Sequence, residues 1–380
     1  MNMYLYIKAL SDFSSRMQFI AVTSLLVSIP DSAFYLTAYF MARQLAGVMA
    51  GPLAGVWADR YSRRHLMIIA EWLSALSLTI LLVTAHPYAI VAAAFSLGLT
   101  YTLFDVSFRA ALPDMMGEEG IIAVNALLVR FSSIISIAGF ALGGMIVQVS
   151  SYKVLISFDI CTYVISAVML MRMTWERTGS KTVKVTSIKA TWNWRNILKT
   201  NSLLLLLIPA SFLYPLAASA YQYGLPLLAG DTEHPGLYNG LLWASAAFGS
   251  LMSTFFLQKR VHLSSRLYVT MLLWFAFSLM TAYSFPMSLW TLASLLFAGF
   301  FEGRCQTYYY SLLQQTDETI RGRLFGMHSV NTRLGYFTGF LVTPFMAKVF
   351  SVGFAVMMVQ AILAAAILLA FIIHRRSGHS

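Results

Sequence analysis

What this chain has least of is charge. Only 11% of its 380 residues are Asp, Glu, Lys or Arg, against about 25% in a soluble domain, whose surface must face water. Most of this surface must therefore face something apolar. Two cysteines, Cys161 and Cys305, are too few for a disulfide framework; both sit inside apolar runs and read as small buried hydrophobes. No Gly-x-x-x-x-Gly-Lys-Ser/Thr loop occurs, which argues against an ATP-driven pump. No His-Glu-x-x-His and no Gly-x-Ser-x-Gly occurs either, and the seven His are scattered. These lacks leave no catalytic residues, no metal site and no cofactor to expect, and they argue against an enzyme embedded in the bilayer. The first apolar run contains Lys8, Asp12 and Arg16 without a small-x-small cleavage site and reads as a retained helix. The net charge of +11 has no polar segment large enough to fold as a nucleic-acid-binding unit. It reads as loops held near anionic lipid headgroups, with no nucleic-acid partner.

What is abundant is apolar sequence: 58% of residues are hydrophobic and the mean hydropathy is +0.70. A bilayer-spanning helix needs roughly 20 mostly apolar residues, and the long runs lack the alternation of barrel strands. Twelve runs can be drawn, at 4–28, 33–57, 64–85, 88–112, 121–147, 153–172, 201–223, 237–258, 267–284, 287–312, 324–347 and 352–373. Turn signals separate them at Ile29-Pro30-Asp31, His86-Pro87, Pro113-Asp114, Pro226 to Pro235 and Phe285-Pro286. With the N-terminus inside, the inside connections hold eighteen Lys and Arg and the outside ones only Lys153 and Lys348. The positive-inside rule thus predicts both termini in the cytoplasm, in a plasma membrane of bacterial, inner-membrane type. The longest polar stretch, Arg172 to Thr200, carries seven basic residues and the single acid Glu176. The predicted organisation is an all-α membrane protein of twelve transmembrane helices in two six-helix bundles, residues 1–172 and 201–380, joined by a basic cytoplasmic linker at 173–200. Matched halves of this kind are a mark of duplicated transporters.

One inside loop is particularly informative: Gly55-Val56-Trp57-Ala58-Asp59-Arg60-Tyr61-Ser62-Arg63-Arg64. It resembles the loop signature of the major facilitator superfamily, Gly-x-x-x-Asp-Arg-x-Gly-Arg-Arg/Lys, with Ser62 where the signature usually has Gly. The resemblance implies that Asp59 helps to lock an outward-facing state, with Arg109 of the fourth span as a partner. Phe104 to Pro113, Asn125-Ala126-Leu127, Leu313-Gln314-Gln315 and Arg321 to Gly326 resemble the macrolide-efflux and siderophore-exporter branch. In the fifth span, Gly139-Phe140-Ala141-Leu142-Gly143-Gly144 is similar to the antiporter motif Gly-Pro-x-x-Gly-Gly, with Phe140 in place of Pro. The same glycines also read as a helix-packing face, as do Gly47, Gly51 and Gly55 in the second span and Gly335 and Gly339 in the eleventh. The superfamily's architecture implies that the second span packs on the eleventh and the fifth on the eighth.

Ionisable residues inside a membrane are costly and are functional candidates by default. Asp12 and Arg16, four apart on one helix, share a face and are placed to pair. Glu302 and Arg304, two apart on the tenth span, point to different sides. Arg130, Arg333 and Asp159 lie in the fifth, eleventh and sixth spans, the sixth being expected at the periphery. Asp12 and Glu302 are the proton-coupling candidates, with Arg16, Arg130, Arg304 and Arg333 as charge partners. Tyr214 and Tyr221, seven apart on one face, and Gln222 are the candidates for lining a cavity. The expectation is a monomeric secondary transporter, exporting an amphipathic small molecule of drug or siderophore type against proton entry. An importer and a non-transporting sensor on the same scaffold are the alternatives.

Overall fold

The computed structural model describes residues 2–116, 121–173, 203–255, 264–286, 288–314 and 318–377. The predicted linker, apart from Met173, lies outside them. Among the described residues there are twelve helices: α1 (Asn2–Val27), α2 (Ser32–Arg60), α3 (Arg63–Val83), α4 (Pro87–Met116), α5 (Ile121–Val149), α6 (Tyr152–Arg172), α7 (Leu204–Gly230), α8 (Pro235–Phe255), α9 (Ser265–Ser284), α10 (Leu289–Gln314), α11 (Glu318–Val349) and α12 (Val352–Ser377). Six of them (α3, α4, α6, α7, α9 and α12) are long and apolar enough to cross a membrane on hydropathy alone. The others include α1, α10 and α11, whose internal charges Asp12, Glu302 and Arg333 lower that measure.

Two sequence expectations about helix ends are corrected. Pro113-Asp114 lies within α4, and Pro226 lies within α7, which also runs through Pro209 and Pro215. A proline removes one backbone donor, and bilayer helices tolerate that loss where neighbouring helices enclose them. α7 is the most enclosed of the six apolar spans. Elsewhere local chemistry ends the helices as expected. Asp31 takes a left-handed backbone (φ 57°) between α1 and α2. Ser62, Ser151 and Ser264 cap the starts of α3, α6 and α9 by accepting backbone N–H groups with their hydroxyls.

The helices pair in the same pattern twice. In the first half α1 packs on α5 and α6, α2 on α4, and α3 on α4 and α6; in the second α7 packs on α11 and α12, α8 on α10, and α9 on α10 and α12. Adding six to each label of the first set reproduces the second. Between halves, α5 packs on α8 and α2 on α11, which are also equivalent contacts under that exchange, and α1 reaches α7 and α8.

The inter-half contacts gather toward the face that carries the α1–α2 turn, called here the turn face; the N-terminus and the α2–α3 turn mark the opposite, terminal face. Asn239 Nδ2 donates to Thr23 Oγ1 at 3.0 Å and to Ser24 Oγ at 3.3 Å. Gln148 Nε2 and His234 Nδ1 are 2.8 Å apart. Phe40 stacks on Phe340 at 4.6 Å with parallel rings, and Trp243 meets Phe19 edge-on at 5.1 Å. Gly144 of α5 rests on α8: a Cβ there would lie 2.7 Å from the Gly236 carbonyl oxygen and 2.9 Å from Gly240 Cα. Gly139 and Gly143 instead admit α1, against Arg16 and Met17.

The expected packing role holds only in part for the other glycines. Gly335 and Gly339 face Phe212, Leu216 and Ser219 of α7, not α2. Among the described residues nothing lies within 4 Å of where a Cβ on Gly51 or Gly55 would sit. A further correction concerns the cysteines: Cys305 is buried, but Cys161 is exposed on α6.

Candidate functional site

In the second half, α10 turns Glu302 toward α7. Tyr214 Oη donates to Glu302 Oε1 at 2.6 Å and Tyr221 Oη to Oε2 at 3.1 Å. The seven-residue spacing places both hydroxyls on one face, two turns apart. Gln306, one turn along α10, donates from Nε2 to Tyr214 Oη at 3.3 Å. Gln222 is half-buried and interacts with Tyr336 of α11. Arg304 lies between the rings of Phe300 and Tyr308, 5.9 and 5.8 Å from their centroids. Among the described residues no cation forms an ion pair with Glu302. A carboxylate whose two oxygens meet hydroxyls is able to gain or lose a proton without breaking a salt bridge, since a hydroxyl can turn from donor to acceptor. Beside it a cavity of about 110 Å³ is walled by Tyr214, Tyr268, Tyr309, Tyr310, Tyr336 and His328.

The first half holds a larger cavity, about 700 Å³, reached by side chains of α1 to α6. Lys8, Asp12, Arg16, Arg43, Glu71 and Asp105 all line it. The expected Asp12–Arg16 pair does not form. Asp12 pairs with Lys8, one turn earlier, and Arg16 lies over the Phe140 ring, 5.6 Å from its centroid. Gly139 makes that placement possible, since a Cβ there would come within 2.7 Å of Arg16 Cβ.

Sequence reasoning missed Glu71 and Arg43. Glu71 is 3% exposed; Ser166 Oγ donates to its Oε1 at 2.8 Å, and its Oε2 has no hydrogen-bond partner among the described residues. The signal was present as an acid inside the third apolar run. Asp159 is 1% exposed and turned inward against α1, accepting from Ser14 Oγ at 2.6 Å and Ser15 Oγ at 3.1 Å. This corrects its expected peripheral position: α6 packs on both α1 and α3, so it has an interior side.

The α2–α3 turn is built by its own residues. Ser62 needs no glycine-like backbone, with φ −64° and ψ 117°. Arg64 Nε donates to the Leu170 carbonyl at 2.7 Å and its Nη2 to that of Met171, which satisfies the end of α6. Arg63 Nε donates to Ala58 O at 3.4 Å, and Arg60 is exposed. The side chains of Asp59, Arg109 and Arg130 lie outside the described residues. Arg333 of α11 lies across Gly47 of α2, where a Cβ would meet its Nη1 at 2.0 Å.

Two equivalent helical halves, meeting at one face and enclosing polar cavities amid apolar spans, define a multi-pass membrane transporter rather than an enzyme. The chain belongs to the Major Facilitator Superfamily, whose family model matches residues 6–318. Solved structures agree on the fold. The nucleoside transporter NupG aligns over 98% of this chain and 99% of its own, with 14% identity and a TM-score of 0.70. A bacterial homologue of the iron transporter ferroportin, inward-facing, aligns over 98% and 97%, with 16% identity and a TM-score of 0.70. A bacterial homologue of the human lysosomal transporter Spinster, inward-facing and occupied, aligns over 99% and 96%, with 10% identity and a TM-score of 0.71. No curated protein matches the chain in sequence.

Proposed function

We propose that this protein is a proton-coupled secondary transporter that exports an amphipathic small molecule by alternating access, and that Glu302 carries the coupling proton. The observation that supports this most is the Tyr214–Glu302–Tyr221 arrangement. It offers two hydroxyls to the carboxylate and no fixed counter-ion among the described residues. Asp12, the other candidate, is held by Lys8 and is 42% exposed at its side chain, so its charge is already compensated. Proton entry supplies about 2.3 kcal/mol per 100 mV from the membrane potential alone, which can support a useful export gradient. Basic loops on the terminal face support cytoplasmic termini in a bacterial-type inner membrane. The protein then acts as a monomer, with lipid around it and the first-half cavity opening inward while the turn face is closed.

The test uses inverted membrane vesicles with a panel of macrolides and siderophores. Uptake that appears on acidifying the lumen and collapses with an uncoupler is expected for the wild type. Glu302→Gln should lose that gradient-driven uptake yet keep exchange of labelled for unlabelled cargo. Full pH-driven uptake by Glu302→Gln would remove the proton-carrier role; uptake driven in the opposite sense would make the protein an importer.

A further inference from the structure

We infer that the first-half cavity is a receptor for an extended zwitterion, holding the cargo's ammonium group at Glu71 and its anionic group at Arg43. The inference rests on the transport reading and gives its cargo a chemical class. Three features of the cavity carry it.

First, each pole has an ionisable group with unused hydrogen-bonding capacity. Glu71 Oε2 is buried without a hydrogen-bond partner among the described residues, in the wall of a cavity of about 700 Å³. The hydrogen bond that its carboxylate accepts among the described residues, from Ser166, uses Oε1. The cation that shares this end, Lys8, is engaged by Asp12. Arg43 has five N–H donors, and the acceptor the structure gives it is Tyr39 Oη, at 3.0 Å from Nη1. Gln18 Nε2, buried and also without a hydrogen-bond partner among the described residues, adds a donor to the same cavity.

Second, Glu71 and Arg43 are separated along the bundle axis. α4 serves as a ruler. Arg43 lies level with Gly98, whose Cβ would sit 2.8 Å from the Arg43 carbonyl. Ser74 is level with Thr100, their hydroxyls 2.7 Å apart, and Ser77 with Ser96, at 2.6 Å. The antiparallel course of α3 and α4 then sets Glu71 level with residues 103–104. At 1.5 Å per residue, the backbones of Glu71 and Arg43 are about 8 Å apart along the axis. The Arg43 guanidinium reaches back to Tyr39, lengthening that separation. Along α1 the charges alternate, with Lys8 nearest the terminal face, then Asp12, then Arg16 about 6 Å farther in than Asp12.

Third, the two poles share one cavity, so one molecule can satisfy both. An α-amino acid, with ammonium and carboxylate on a single carbon, is too short to do so. A short peptide, or a longer amino-carboxylate metabolite, has the span.

The test is equilibrium binding of labelled peptides to the purified full-length protein in detergent, with no gradient present. The probes are trialanine, N-acetyl-trialanine, trialanine amide and glycine. Trialanine should bind about tenfold more tightly than either blocked form, and glycine should not compete. Glu71→Gln should remove the preference for a free amine while keeping that for a free carboxylate; Arg43→Gln should do the reverse, and Arg43→Lys should restore part of it. Equal affinities for blocked and free peptides, no binding of any peptide, or loss of both preferences together in each variant would overturn the inference. Because the assay contains no gradient, its outcome bears on cargo recognition alone, whereas the flux measured with Glu302→Gln bears on coupling alone.

Discussion

At the scale of single residues, chemistry that depends on spacing was readable and chemistry that depends on packing was not. Tyr214 and Tyr221 were placed on one face by their seven-residue separation, and that face is the one Glu302 meets. The Asp12–Arg16 pair had equal support from spacing, yet Lys8 satisfies the same rule one turn earlier. The choice between them fell to Gly139, which lets Arg16 settle on Phe140. Such a choice is made across helices and has no local trace. Glycines divide in the same way. Gly144→Val should lower the unfolding temperature measurably in detergent, because a side chain there meets the Gly236 and Gly240 backbone, which has no flexible end to move aside. Gly51→Ala should be neutral or stabilise by about 0.5–1 kcal/mol through helix propensity, since open space surrounds that position among the described residues. Thermal unfolding of both variants separates the cases; equal losses would show that the α5–α8 contact is looser than described.

At the scale of elements, apolar runs read together with the turn signals between them located all twelve helices, although hydropathy alone marks six of them among the described residues. Ends were less legible where proline was read as punctuation. Pro113 and Pro226 sit inside α4 and α7, since enclosure by neighbours outweighs one missing donor. Partner choice was also hidden: Gly335 and Gly339 look alike whether α11 meets α2 or α7, and they meet α7. The α2–α3 turn gives a direct check on an element's end. Arg64→Ala removes both donors from the last carbonyls of α6 and should cost about 1 kcal/mol of stability, a value discounted for partial exposure. Arg60→Ala, at an exposed position, should cost nothing detectable. A larger loss at Arg60 than at Arg64 would refute the capping role.

At the scale of the whole molecule, the duplicated pairing of helices makes two interchangeable arrangements of the halves physically natural, and the structure shows one of them, joined at the turn face. A covalent bridge there should arrest the cycle. The Cβ of a residue at 230 would lie 3.7 Å from Val27 Cβ, close to the mean separation in disulfides. Oxidised Val27→Cys/Gly230→Cys protein should therefore lose nearly all transport and recover it on reduction, whereas each single variant keeps it. Val147→Cys/Gly236→Cys, with the same 3.7 Å separation, should behave alike across α5 and α8. Unimpaired flux in both oxidised proteins would mean that the turn face does not open during transport.

The two seams related by the duplication are made of different material. Between α5 and α8, Gly144 and Gly240 bring bare backbones into touch; between α2 and α11, the flat rings of Phe40 and Phe340 lie against each other. Backbone against backbone leaves no slack for sliding, so that seam can only roll about a nearly fixed line. Parallel rings resist separation but shear easily past one another. A rocking motion of the halves would thus have its fulcrum on one side of the molecule and its travel on the other, a lopsidedness that the matched helix order conceals.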